Sequence, residues 1–100
     1  VKPITIHSEA IAELDAAVAY YEAQQEGLGL VFLTAVEQAI GKIRQNPNSG
    51  SPYKTQRLRC FVMRRFPFLI FYAELEACIW IVAIAHSKRK PNYWKKRQME

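Results

Sequence analysis

The stretch RCFVMRRFPFLIFYAELEACIWIVAIAH, residues 59–86, decides how this chain folds. It contains three runs, Arg59 to Phe66, Pro67 to Leu75 and Cys78 to His86, rich in Phe, Ile, Val, Trp and Tyr. These side chains pack well on a pleated surface, and the Glu76-Ala77 region between the last two runs fits a tight connection, so the stretch predicts a three-stranded meander. In the third run, strict alternation sends Trp80, Val82, Ile84 and His86 to one face and Ile79, Ile81, Ala83 and Ala85 to the other. Both faces are apolar until His86, where the sheet opens to solvent.

Upstream of the meander the periodicity is helical. Pro3 to Ile6 predicts a short strand, and Ser8 is a candidate helix cap with Glu9 and Glu13 near the positive end of the helix. Ile11, Leu14, Val18 and Tyr21 then recur at helical spacing, leaving Glu13, Asp15 and Glu22 for the outer face. Gly27 and Gly29 interrupt the pattern. A second helix, from about Leu30 to Gln45, carries Leu33, Val36, Ile40 and Ile43 until Asn46 and Pro47 stop it. Gly41 weakens that helix unless it permits a close approach. Asn46 to Pro52, NPNSGSP, is a loop by composition. Pro91 suits the first turn of a short C-terminal helix on which Tyr93 and Arg97, four residues apart, share a face. The expected fold is α+β, β-α-α-β-β-β with a short C-terminal helix, one domain over residues 1–100. A helical hairpin covers one face of a mostly antiparallel sheet and the other face is left for function.

Composition narrows the class of protein. Of 100 residues 50% are apolar and 23% charged, which excludes disordered, collagen-like and coiled-coil chains. The formal charge of +5 is unevenly placed: residues 1–50 carry three cations against six acids, net −3, and residues 51–100 carry eleven against three, net +8. A positive half of this size attracts polyanions or an acidic protein, although solubility alone also accounts for basic surface. Cys60 and Cys78 lie inside apolar runs without metal-ligand spacing and read as core thiols of a reducing compartment. The longest apolar runs are interrupted by Glu74 and Glu76, too short for a membrane span, and Pro3, His7 and Glu9 leave no signal-peptide core, so a cytoplasmic location is expected.

The candidate chemistry is concentrated in Arg64, Arg65, His86, Arg89 and Tyr93, with Lys54, Arg57 and Arg59 at the entrance to the meander. Guanidinium groups bind phosphate bidentately, and histidine transfers protons near neutrality. On RNA, His86 would serve as base, Arg65 and Arg89 would hold the phosphate, and Tyr93 would act as acid or stacking platform in a metal-free cleavage. The same residues also read as structure, with His86 capping a strand end, Tyr93 and Trp94 pinning the terminal helix and the arginines solvated. Direct nucleic-acid binding through Arg and aromatic contacts is a third reading. No metal site, Gly-rich phosphate loop or nucleophile elbow is present in the sequence, and no cofactor is expected.

Five segments converge on one resemblance: LDAAVAYYEAQ (14–24), GLGLVF (27–32), IRQNPNSG (43–50), RRFPFLIFY (64–72) and AIAHSKRKPNYWKKR (83–97). Nearly end to end, the chain resembles the RelE/ParE superfamily, the toxins of bacterial type II toxin-antitoxin pairs. The Arg-Phe-Pro-aromatic strand entry and the His-x-x-Arg-x-Pro-x-Tyr-Trp tail are most similar to the ParE branch, with Phe68 standing where Tyr is commoner. The resemblance implies a growth-inhibiting, plasmid-stabilising toxin held inactive in a hetero-oligomer by an acidic or amphipathic antitoxin segment. ParE-like members inhibit DNA gyrase by trapping it on cleaved DNA, whereas RelE-like members cut messenger RNA on the ribosome. On the ParE reading the chain is not an enzyme and Arg64, Arg65, His86, Arg89, Tyr93, Trp94 and Arg97 form or support the target surface. Leu14, Val18, Tyr21, Leu33 and Val36 on the hairpin are then the expected antitoxin contacts. On the RelE reading His86, Arg65, Arg89 and Tyr93 are the catalytic candidates of an endoribonuclease, although the loop NPNSGSPYKTQ carries only one lysine, fewer cations than is usual there.

Overall fold

A computed structural model describes residues 1–90 and 92–98, with Thr55 and Gln56 described by their backbone alone. The elements run β1 (Ile4–Ile6), α1 (Ser8–Gln24), α2 (Leu28–Gln45), β2 (Ser51–Tyr53), β3 (Thr55–Val62), β4 (Phe68–Glu74) and β5 (Ile79–His86). They form a helical hairpin on a five-stranded sheet of order β1-β5-β4-β3-β2. Every neighbouring pair is antiparallel except β1 and β5, which run parallel in the register Ile4↔Ile79 to Ile6↔Ile81. The expected α+β architecture is therefore present, with one strand more than expected. Part of the stretch read as a loop, Ser51 and Pro52, pairs with Cys60 and Arg59 at the outer edge of the sheet. An edge strand tolerates Pro52 because one side of it bonds to no neighbour.

The hairpin departs from its sequence reading in informative places. The cap of α1 is His7, one residue before Ser8, and its Nδ1 accepts from the Glu9 N–H at 3.1 Å. Buried Ala10 and Ala17 face the sheet, while Ile11 is 44% exposed and lies off the apolar stripe. Gly27, at φ +88°, supplies the left-handed turn into α2. Gly29 belongs to the helix, not to the break: a Cβ there would lie 2.8 Å from the Val18 carbonyl oxygen on α1. The Glu22 carboxylate closes this end of the hairpin by accepting from the Gly27 and Gly29 N–H groups at 2.9 and 3.0 Å, which satisfies free donors at the start of α2.

Gly41 has no such reason to be glycine, since a Cβ there meets nothing within 4 Å. Gly41→Ala is therefore expected to stabilise the protein by about 0.5–1 kcal/mol, the entropic cost of glycine inside a helix. Urea unfolding followed by circular dichroism measures it, and an unchanged or lowered midpoint contradicts it.

The core lies between the hairpin and the sheet. Phe32, Val36 and Ile43 of α2 pack against Phe68, Ile70 and Tyr72 of β4 and Ile79, Ile81 and Ile84 of β5. Ile84 shares a face with Ile79 and Ile81, against strict alternation. The β4–β5 register passes from Phe71↔Ala83 to Tyr72↔Ile81, so Val82 is an extra residue, a β-bulge that reverses the facing of everything after it. Trp80, Val82, Ala83 and Ala85 consequently share the opposite face with Phe71 and Leu69. The bulge turns His86 towards the helices, where its ring meets Phe68 at 5.3 Å.

Candidate functional site

The sheet face away from the hairpin is not open as expected, because the C-terminal tail covers part of it. Trp94 is 5% exposed and stacks on Phe71 at 4.6 Å, with Tyr53 at 5.9 Å. No regular helix forms in the described tail. Asn92 has φ +70°, and two overlapping four-residue turns follow, closed by Lys95 N–H to Asn92 O and Arg97 N–H to Trp94 O. The left-handed Asn92 is incompatible with a continuous α-helix. Pro91, read as the opening residue of that helix, lies outside the described residues.

Tyr93 and Arg97 do share a side of the tail, and both reach Glu13 of α1. The Glu13 carboxylate, 12% exposed, accepts from the Tyr93 hydroxyl, from the Arg97 guanidinium at 3.0 Å on each oxygen and from the Ile84 backbone N–H at 3.0 Å. Arg89 lies 3.6 Å from the same carboxylate and stacks over the Tyr93 ring, also at 3.6 Å. Helical spacing alone places Glu13 on the solvated outer face, because an acidic residue next to an apolar stripe gives no local sign of a partner eighty residues away. Its separation from Tyr93 and Arg97 in sequence hides the one cluster in which they meet.

These contacts separate the buried candidates from the exposed ones. Trp94 is buried, and Arg97, 9% exposed, is held by Glu13 and donates also to the Val82 carbonyl at 3.0 Å. Both anchor the tail to the rest of the fold. Lys88, Arg89, Lys90, Lys95 and Lys96 are exposed, Arg89 with its guanidinium turned to Glu13 and Tyr93. Arg64 and Arg65 stand elsewhere: with Lys42 they border an open groove of roughly 500 Å³ between α2 and β3, whose apolar lining includes Leu30, Val31, Phe61 and Val62. His86 and Arg89 line a different depression against α1, beside Ala12, Ala16 and Ala17. The common surface expected for Arg65 and His86 therefore divides in two.

Among the hairpin residues expected to meet an antitoxin, Val36 is wholly buried in the core. Leu14, Val18 and Tyr21 are partly buried against the core, and Leu33 is partly exposed on α2. At the meander entrance Arg59 is tied to the Gly50 carbonyl at 2.6 Å.

The acid and base named in the nuclease reading, Tyr93 and His86, both have hydrogen-bond partners within the chain. His86 Nδ1 accepts the Lys88 backbone N–H at 3.1 Å, which occupies that ring nitrogen within the chain. Burial, the hydrogen bond to Glu13 and that carboxylate's charge push the Tyr93 phenol well above its ordinary value of 10, against the opposing influence of Arg89 and Arg97. It is a poor acid. At Arg97 burial acts to lower the pKa, but the hydrogen bond and charge of Glu13 outweigh it and the guanidinium is held protonated.

The Tyr93 shift has a direct consequence for stability. The folded chain holds the phenolic proton more tightly than the unfolded one, so this contribution is fully present below pH 10 and is lost as pH rises beyond it. Urea midpoints measured from pH 8 to pH 11 are expected to fall less steeply in Tyr93→Phe than in the wild type. Equal slopes contradict it. Tyr21, raised mainly by burial, contributes in the same direction and is the control to subtract.

Residues 4–91 match the family model of the ParE toxin of type II toxin-antitoxin systems, parDE. The chain belongs to the ParE toxin family. A solved structure titled "Chromosomal ParDE TA system from P. aeruginosa" matches with a TM-score of 0.66 at 21% identity, over 87% of this chain and 97% of that one. At that identity the likeness is one of fold. No curated protein sequence matches significantly. The ParE family assignment makes the chain a type II toxin, and a toxin of this kind has a cognate antitoxin as its partner. Among the described residues of this ParE-family chain, no helix is long and apolar enough to cross a membrane.

Proposed function

We propose that this toxin inhibits DNA gyrase in the cytoplasm through its cationic C-terminal tail, as a single toxin domain over residues 1–100. The observation that carries the proposal is the state of the tail: its aromatic residues and Arg97 are spent on anchoring, and what remains exposed is a row of cations around His86 and Arg89. Such a surface serves binding and electrostatic steering. Purified toxin is expected to block supercoiling by gyrase and to raise the level of cleaved DNA held by the enzyme. Growth arrest without either effect overturns the proposal. New 5′ ends on translated messages soon after induction favour the endoribonuclease reading.

For the antitoxin, the groove between α2 and β3 is the proposed dock, extending the hairpin surface around Leu33. Leu30 and Val62, 67% and 64% exposed, offer apolar contacts, and Lys42, Arg64 and Arg65 rim them with positive charge. An amphipathic segment with one apolar face and flanking acids complements both features. Leu30→Glu and Val62→Glu are expected to change stability by no more than about 0.5 kcal/mol, because both positions are on the surface. Each is expected to weaken binding of the cognate antitoxin on the order of tenfold or more, because a carboxylate there meets the apolar face of the segment and repels its flanking acids. Calorimetric titration of the purified pair checks this, and unchanged affinity in both variants removes the groove from the interface.

A further inference from the structure

We propose that Glu13 is the positioning residue of the toxic surface: its charge holds the basic tail in the arrangement that acts on the target. The inference rests on the tail being the surface that meets the target. β1 pairs with β5 only as far as Ile81, so beyond that residue the outer edge of β5 has no neighbouring strand among the described residues. Two side chains occupy the place of one. Arg97 donates to the Val82 carbonyl and Glu13 accepts the Ile84 N–H, while a paired hydrogen bond joins Arg97 to Glu13. Backbone groups that would otherwise lack partners at a buried edge are satisfied in this way.

The tail wraps around that edge. Trp94 lies on the far face of the sheet, and Tyr93 and Arg97 reach back to α1 on the near face. Glu9 also meets Arg97, at 3.5 Å, but it is 65% exposed and its pairing is correspondingly weak. Removing the Glu13 charge leaves the nearly buried Arg97 guanidinium with only the exposed Glu9 carboxylate, 3.5 Å away, as counter-ion, a state it leaves by moving into water and taking the tail with it. Arg89, placed by Glu13 and the Tyr93 ring, loses its direction in the same event. Potency falls in proportion to the fraction of molecules that keep the tail docked.

Glu13→Gln preserves shape and removes the charge. The readouts are growth arrest on graded induction, inhibition of gyrase per folded toxin, and the indole N–H signals of Trp80 and Trp94. Trp80, on β5, reports the sheet, and Trp94 reports the tail. The expected result is a loss of potency on the order of tenfold or more, with the Trp94 signal displaced and the Trp80 signal in place. That last signal separates a positioning role from a folding one. Full growth arrest by a variant whose Trp80 signal is unchanged overturns the proposal. Should Glu13→Gln fail to fold, Arg97→Gln removes the same pair from the tail side and is judged by the same outcomes. If wild-type toxin arrests growth and leaves gyrase untouched, the target reading falls, while the comparison of Glu13→Gln with wild type in growth arrest still decides the role of Glu13.

Discussion

Phe32→Ala is expected to destabilise the toxin by about 3–5 kcal/mol, the cost of emptying a fully buried aromatic site that cannot collapse. Phe32 has no exposed surface, and its ring meets three others, Tyr21 at 5.0 Å, Phe66 at 5.0 Å and Phe68 at 4.9 Å. Those partners come from α1, the β3–β4 turn and β4, so one side chain joins the two helices to the sheet. Small domains have only about 5–15 kcal/mol in total, and the substitution removes a large share of it. Urea unfolding followed by circular dichroism gives the value, with Leu30→Ala at the exposed start of α2 as control. A loss below about 1 kcal/mol, the ordinary effect of a point substitution, means that the ring cluster does not hold the hairpin to the sheet.

Trp94→Ala is the companion experiment on the other face, and its effect is expected in function more than in global stability. Removing the indole from Phe71 and Tyr53 takes away the apolar half of the tail's attachment and leaves the Glu13 contacts alone. A loss of about 3 kcal/mol at this site changes the ratio of docked to free tail by roughly two orders of magnitude. Toxicity is expected to fall steeply in consequence. The urea midpoint moves less than in Phe32→Ala, because a terminal segment can detach while the core stays closed. Trypsin cleavage at Lys95 and Lys96 reports the release directly. Wild-type toxicity together with wild-type resistance to trypsin in this variant shows that the indole is not the anchor.

Trp94 also shows where sequence reading was sufficient and where it failed. That Tyr93 and Trp94 pin the tail was among the readings available from residue types, since large aromatics near a chain end more often pack than bind. What they pin it to was not available. Val82 interrupts the alternation of β5, and because every side chain between Ile79 and Ala85 is apolar, nothing in the pattern marks the bulge. A reading by strict alternation therefore turns Ile84 and His86 to the wrong face. Glu13 fails for a related reason: its partners are seventy or more residues away, and no local periodicity records a contact of that range. The edge strand Ser51–Tyr53 was hidden by its turn-forming neighbours, since Ser and Pro in a three-residue strand look like the loop that precedes them.

By itself the sequence determined the α+β class, the hairpin, the meander and the ParE-like motifs, because helical and strand periodicities and short motifs are local properties of the chain. It determined the charge asymmetry as well, which is a sum over residues. Tertiary structure alone decided which cations are free and which are consumed. Arg89 and Arg97 lie in the same basic run and differ in sequence only by position. Arg97 is nearly buried between Glu13 and the edge of β5, whereas Arg89 keeps about half of its side chain in water, and that difference is made by the packing of a distant helix against the tail.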